Sequence, residues 1–322
     1  MGFPRYVLAV LAGLTCASPS ASAQGTYPSR NINVVVASAA GGITDIVARL
    51  VSQPLSGKLG QSLVIESRPG SAGNIAARVV STGAADGYTI LATTTSIAIN
   101  ETVYKNKGYA TGDLLPIGIV AFSPDVIAVN PSNSAKTLAE YISNGRQKAP
   151  SFATAGVGTA SHIGAEYLFR EIAKISAVHV PYTGGAPAMT AVLGNHVDSL
   201  VLAMPVVTPY LADGRLRGLA LATGKRSPAA PSVPTYAEAG VPNFQSGTWV
   251  GFFVHAKTPD SVVTKLNEAL NEAIGAAAVK QRLAELGLEP MVRSQRETES
   301  YFAGELANWS KMVRAAGLAG SN

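Results

Sequence analysis

Two glycine-bearing stretches carry the residue types that could hold an anion. The first is Ala39-Ala40-Gly41-Gly42-Ile43-Thr44-Asp45, and the second is Thr154-Ala155-Gly156-Val157-Gly158-Thr159-Ala160-Ser161-His162. Each follows an apolar run of strand length and precedes a helical pattern. At such a junction the first helical N–H groups lack intrahelical partners, and the helix dipole favours negative charge. Glycine lets the backbone come close to a bound group. The hydroxyls of Thr44, Thr159 and Ser161 add donors. Neither stretch contains Lys or Arg, so an anion there is expected to rest on backbone N–H groups, hydroxyls and water, without a guanidinium fork. Either stretch alone reads first as a tight loop with an N-cap. The two together, at matching places in two α/β halves, predict a pair of facing anion cradles with a cleft between them.

Enzymatic chemistry is less well supported. Gly156-Val157-Gly158 opens like a dinucleotide fingerprint, but Ser161 stands where its third glycine belongs, and no acidic residue follows at the ribose-binding distance. Ser161 and His162 adjoin, which keeps an exported hydrolase as an alternative, yet no G-x-S-x-G elbow is present. The histidines His162, His179, His196 and His255 have no metal-ligand spacing. All but His162 read as structural. Asp45 could serve as a catalytic acid, but at a helix start it reads better as a cap that compensates the dipole. No metal and no cofactor are expected.

Short apolar runs alternate with helical periodicity along the chain, the pattern of an α/β sheet protein. Strands are expected at 32–36, 63–65 and 88–92, with helices at 44–58 and 74–80 between them. This βαβαβ run predicts parallel pairing. Pro54 is expected to kink or end the first helix. The theme repeats with strands at 126–129, 152–155, 177–180, 197–202 and 216–222 and helices between them. Thr137 and Glu140 form a capping box for one of these helices. A Pro- and Ser-rich stretch, 225–234, is the best loop or linker. Thr235 to Glu238 is expected to cap a helix ending at Gly240. Thr258 is expected as the N-cap of a long helix with Pro259 in its first turn, and Ser294 with Glu297 opens the last helix.

The chain has 322 residues, 47% of them hydrophobic and 14% charged, which indicates about two well-buried domains. Residues 1–23 read as a secretory signal: Arg5, an apolar run from Tyr6 to Leu14, and the small-residue site Ala21-Ser22-Ala23. The mature chain is then expected to start at Gln24, in the periplasm. The one cysteine, Cys16, lies inside that signal, with Thr15 before it where a lipoprotein site wants a small residue. That removes disulfides and thiol chemistry from the mature chain. The formal net charge of +5 is spread thinly, and Lys225-Arg226 is the densest pair near a loop. Nucleic-acid binding is therefore not expected.

Beyond the two glycine stretches, ordered motifs run along the whole mature chain. They include Tyr27-Pro28-Ser29-Arg30, GGITDIVARL, Glu66-Ser67-Arg68-Pro69-Gly70, Gly73-Asn74-Ile75 and Ala85-Asp86-Gly87-Tyr88-Thr89. ATAGVGTASH, VPYTGGAPA, VPTYAEAGVP and the segment around Trp309 follow. In these the sequence resembles the Bug family, the extracytoplasmic solute receptors of tripartite tricarboxylate transporters.

The resemblance implies an α/β, two-lobed type II periplasmic binding protein, each lobe a mostly parallel sheet flanked by helices, with the ligand cleft between lobes. Residues 24–123 plus 223–322 would form one lobe and 124–222 the other. It further implies a monomer that presents a small carboxylate (a di- or tricarboxylate, an acidic amino acid or an aromatic acid) to a two-subunit inner-membrane transporter. A sensor partner is the alternative destination. Carried onto this chain, the ligand's carboxylate would meet Ala39, Gly42, Thr44 and Asp45 on one side. On the other it would meet Thr154, Gly156, Gly158, Thr159, Ser161 and His162, and Ser96, Tyr182 and Asp198 are secondary nominations. The chain departs from the family pattern at Ala37 and Ser38, where a proline and an aromatic are usual, and at Thr183, where a lysine is often found.

Overall fold

The computed structural model describes Gly2, residues 27–182 and residues 184–321. The expected signal (1–23) apart from Gly2, with Cys16, the start at Gln24 and Thr183, lies outside the described residues. The first half of the chain runs β1 (Ile32–Val36), α1 (Ile43–Leu59), β2 (Leu63–Ser67), α2 (Asn74–Ser81), β3 (Thr89–Thr94) and α3 (Ser96–Val103). The strands pair in parallel in the order β2-β1-β3, as the alternating pattern predicts. β4 (Leu114–Val129), α4 (Leu138–Gln147), β5 (Ser151–Thr154), α5 (Ala160–Glu166, continued by a π-helical turn at Tyr167–Ile172) and β6 (Val178–Pro181) come next. Then come α6 (Gly185–Leu193), β7 (Ser199–Ala203), α7 (Met204–Ala212) and β8 (Arg217–Leu221). The chain closes with β9 (Gly247–His255), α8 (Asp260–Gly275), α9 (Ala277–Glu285), β10 (Glu289–Pro290) and α10 (Gln295–Ala315).

The long strand β4 decides how the two halves meet. Leu114 to Pro124 pair antiparallel with β9, which pairs antiparallel with β3. This part of β4 therefore runs in the same direction as β1, β2 and β3, and it leaves their sheet at the carboxyl edge. From Asp125 onward it enters a second sheet and pairs antiparallel with β7, with Asp125 opposite Ala203 and Ala128 opposite Leu200. β5 and β6 run parallel with β7. The carboxyl ends of β5, β6 and β7 thus point back toward the carboxyl ends of β1, β2 and β3. Both sheets are mixed, because β9 and β4 run against parallel neighbours.

Apolar burial covers the sheet faces. Val34, Val36 and Ile90 pack with Val47, Val51 and Leu55 of α1 and with Leu266 and Leu270 of α8. On the opposite face Val35, Leu91 and Phe253 pack with α2, α3 and α10, and this core continues to Phe152, Ile163 and Phe169 of the second sheet and α5. α6 and α7 cover the other face of the second sheet through Met189, Val192, Met204 and Val207.

Four local expectations are corrected. Pro54 lies inside α1, which runs on to Leu59. The proline forfeits one i→i−4 bond, but Val51 on one side and Leu55 and Leu59 on the other are buried, and that burial carries the helix through. The expected strand at 126–129 is the end of a strand that starts at Leu114. Pro116, Gly118 and Pro124 hide it in the sequence, and the pairing shifts register near the first two. Thr235 and Glu238 do exchange capping bonds, at 2.8 and 3.1 Å, but residues 236–240 make only turns. The N-cap of α8 is Pro259, one residue later than expected, and the Thr258 hydroxyl is buried without a partner.

Candidate ligand-binding site

The first glycine stretch links β1 to α1 at the carboxyl edge of its sheet. Gly41 has φ of 81°, a left-handed conformation that glycine adopts without strain. Gly42 is the N-cap, so no side chain takes the N–H groups of the first turn of α1. A Cβ on Gly42 would lie 2.9 Å from Ser38 Oγ and 3.1 Å from the Ala39 carbonyl oxygen. That carbonyl accepts from Gly42 N–H at 3.1 Å and from Ser38 Oγ at 3.3 Å. Asp45 accepts from Gly41 N–H at 3.0 Å and from Arg49 Nε at 3.0 Å. The Arg49 bonds, and then the Gly41 N–H, hold the Asp45 carboxyl below the usual Asp range. Asp45 therefore braces the turn before the helix through Gly41 N–H rather than capping the first turn of α1, and Arg49, one turn further on, neutralises it. Thr44 is buried beside it and Ala39 is exposed.

The neighbouring helices begin at the same edge. Gly73 is the N-cap of α2 at φ 91°, and a Cβ there would lie 3.2 Å from Ala37 Cβ and 3.6 Å from Ser96 Oγ. Ala37 and Ser96 are thus brought together beside Gly73. Ser96 Oγ shares a hydrogen bond with Thr94 Oγ1 at 3.0 Å.

The second stretch links β5 to α5 on the facing edge. Thr159 is the N-cap: its hydroxyl accepts from His162 N–H at 3.3 Å and donates to the Gly156 carbonyl at 2.9 Å. Gly156 and Gly158 have φ of 143° and 78°. The Gly158 N–H donates to His162 Nδ1 at 3.1 Å, which places the ring proton on Nε2. Thr154 Oγ1 meets His179 Nε2 at 2.7 Å. The His162 and His179 rings stack with centroids 3.9 Å apart, and His179 in turn stacks on Phe152. Burial, followed by the neighbouring His179, pushes His162 down to about 3, and burial pushes His179 down to about 4. Both rings are neutral near pH 7, so the 4.0 Å contact from His162 to Glu166 is no ion pair there.

Ser161 and His162 do not form a nucleophile and base. Ser161 Oγ donates to Asp125 Oδ1 at 2.7 Å, and Ser246 Oγ donates to Asp125 Oδ2 at 2.5 Å. The acceptor nitrogen of His162 is taken by Gly158. Asp125 is fully buried, and loss of water pushes its carboxyl upward against the two serine bonds. Its own N–H donates to the Ser246 carbonyl, and its carbonyl accepts from Ala222 N–H. The three segments that cross between the sheets therefore meet at this residue.

Tyr182 lies beside the second stretch, with its N–H on the Thr154 carbonyl at 3.2 Å. Asp198 is not brought there. It accepts from Ser151 N–H at 2.8 Å and from Ser151 Oγ at 2.7 Å, at the amino ends of β5 and β7. That edge is opposite to the one bearing Gly156. Gly73, Arg49, Asp125, His179 and Ser246 were not identified from the sequence. Asp125 and His179 did leave a signal: each is a lone titratable residue in an otherwise apolar strand run. Among the described residues no group of three or more His, Cys, Asp or Glu is placed to hold a metal ion, and no helix is long and apolar enough to cross a membrane.

Comparison with known proteins agrees with this architecture. BugT of Bordetella pertussis is 32% identical over 297 residues, covering 91% of each chain. The structure of Rpa4515 of R. palustris with adipate superposes with a TM-score of 0.79 at 34% identity, covering 91% of this chain and 99% of that one. MatC of Rhodopseudomonas palustris with bound malate gives a TM-score of 0.74 at 30% identity, covering 89% and 100%. The family model described as tripartite tricarboxylate transporter family receptor matches residues 47–318. With its two sheets joined at their carboxyl edges and helix N-termini gathered along both, the chain belongs to the solute-binding receptors of the tripartite tricarboxylate transporter family.

Proposed function

We propose that this receptor captures a small carboxylate in the crevice between the two glycine stretches and delivers it in the periplasm to a two-subunit inner-membrane transporter. The observation that carries this reading is the bare N-terminus of α1. Gly42 leaves its first-turn N–H donors without a side-chain cap, on the edge that faces the start of α5. Helix N-termini of this kind favour anions. The adipate and malate of the two R. palustris structures support the same ligand class.

The proposed contacts are Ala39, Gly42 and Thr44 with Ser96 on one side, and Gly156, Gly158, Thr159 and Tyr182 on the other. Asp45, Thr154, Ser161 and His162 hold those turns in shape. We take residues 24–123 plus 223–322 as one lobe and 124–222 as the other, with the joint at Asp125 and Ala222. Ala37 and Ser38 leave room where the family usually carries a ring. Ser38→Phe is therefore expected to narrow the range of acids accepted.

The test is a thermal-shift panel of mono-, di- and tricarboxylates, acidic amino acids and aromatic acids, each paired with its amide. A ligand at one hundred times its Kd adds about 2.7 kcal/mol, or about 4 °C for a chain of this size. A shift with an acid and none with its amide supports the reading. Equal shifts with both, or none with any acid after unfolding and washing to remove co-purified ligand, sink it.

A further inference from the structure

A cavity of about 560 Å³ lies beside α10, and no residue of either glycine stretch lines it. Its walls come from β10 and the segment after it, one face of α10, and the two segments that carry the chain between the sheets, at Thr223-Gly224 and Gln245-Ser246. The volume suits a small organic molecule.

The chemistry of this cavity centres on Glu305. The chain has two tryptophans, Trp249 and Trp309, and both indoles donate to the same carboxylate oxygen, Glu305 Oε2, at 2.7 and 2.9 Å. Both tryptophans are buried, so the carboxylate is fixed in place from behind. Its other oxygen, Oε1, has no hydrogen-bond partner among the described residues, and Glu305 lines the cavity. No cation pairs with it either. Arg293 shares the cavity, but its guanidinium lies over the Tyr301 ring, 4.2 Å from the centroid. Glu289 and Glu297 also line the wall, giving three carboxylates against one guanidinium. Burial pushes the Glu305 carboxyl upward, and Arg293 offsets this only through space, with no ion pair to it among the described residues. A partly buried carboxylate so weakly compensated is costly to keep ionised. The lining therefore asks for a positive charge, and Phe122, Met291 and Val292 offer an apolar surface beside it. A carboxylate with an apolar wall beside it matches an organic cation, which has a charge for the one and carbon for the other.

We propose that this cavity is a second binding site, for a small primary amine whose ammonium group donates to Glu305 Oε1 while its alkyl part lies along the apolar wall. The site is separate from the carboxylate crevice and does not depend on it. Since both tryptophans hold the same carboxylate, their fluorescence reports on its occupancy.

The experiment titrates the receptor with n-butylammonium, using n-butanol as the neutral isostere, and follows intrinsic fluorescence and heat. Saturable binding of butylammonium, with no response to butanol, is expected. Glu305→Gln keeps an acceptor for both indoles but loses the charge, and is expected to weaken binding about tenfold or more. Gly42→Ala, in the other site, is expected to leave it unchanged. The proposal is overturned if butanol and butylammonium behave alike on the unmodified receptor, if neither binds, or if a folded Glu305→Gln receptor binds the amine as before. The comparison of amine with alcohol needs no variant, so a misfolded Glu305→Gln chain does not shelter the idea.

Discussion

Ser161 Oγ lies 2.7 Å from Asp125 Oδ1, so the first turn of α5 is tied to the point where β4 passes from one sheet into the other. A hydroxyl that the sequence offers to a ligand is used within the protein. It holds the helix whose free N–H groups face the crevice, and Ser246 holds the same carboxylate from the returning segment.

Ser161→Ala removes one of two side-chain donors to a fully buried carboxyl. The expected cost is about 1–3 kcal/mol of stability, read from urea unfolding, together with weaker ligand binding because α5 is no longer held. Asp125→Asn can still accept from one serine and donate to the other, and is expected to lose less than Asp125→Ala. An Asp125→Ala chain as stable as the parent would contradict the anchoring role.

Gly42→Ala places a methyl 2.9 Å from Ser38 Oγ and 3.1 Å from the Ala39 carbonyl. The turn must shift, and the N–H donors at the start of α1 move with it. Carboxylate affinity is expected to fall about tenfold or more, while stability drops by only about 1 kcal/mol, because no buried apolar contact is lost. Calorimetry beside chemical unfolding separates the two effects.

Arg49 neutralises Asp45 one helical turn away, with Nε 3.0 Å from the carboxylate. Arg49→Gln leaves a bare negative charge next to the proposed anion site. Binding of a dicarboxylate is expected to weaken several-fold at low salt, and the loss is expected to shrink as salt screens the repulsion. A loss that does not change with salt would point to altered turn geometry instead.

The stacked pair His162 and His179 sets an acid limit. Burial holds them at about 3 and about 4 in the folded chain, against about 6.5 when unfolded. Between those values the unfolded chain binds protons that the folded chain refuses, so stability falls as pH drops from 6.5 toward 4 and is level above about 7. Asp45, held low by Arg49, has the same sign but loses its contribution only below its unfolded value of about 3.9. Melting temperature recorded from pH 7.5 to 4.5 is expected to change less favourably on acidification in the parent than in His162→Asn, which keeps an acceptor for Gly158 N–H but lacks the imidazole's share.

The sequence by itself determined the α/β class, the parallel β1, β2 and β3 with their helices, and the position of both glycine turns. Each of these rests on local physics: apolar periodicity, the lack of a Cβ, and caps such as Ser294 with Glu297, which forms as its spacing foretells. Some family motifs were legible for the same reason, such as Gly41-Gly42 and Asp86-Gly87, which sit in turns where the backbone dictates the residue type. Tertiary structure decided what each polar side chain does. Ser161 and His162 adjoin in the chain, yet one turns to Asp125, 36 residues away, and the other to Gly158. Asp198 follows the same strand pattern as its neighbours but falls at the amino edge, because strand direction fixes which end of β7 meets the crevice. The passage of β4 from one sheet into the other makes the two edges face each other. Such pairings join residues far apart in the chain, and neither spacing nor composition encodes them.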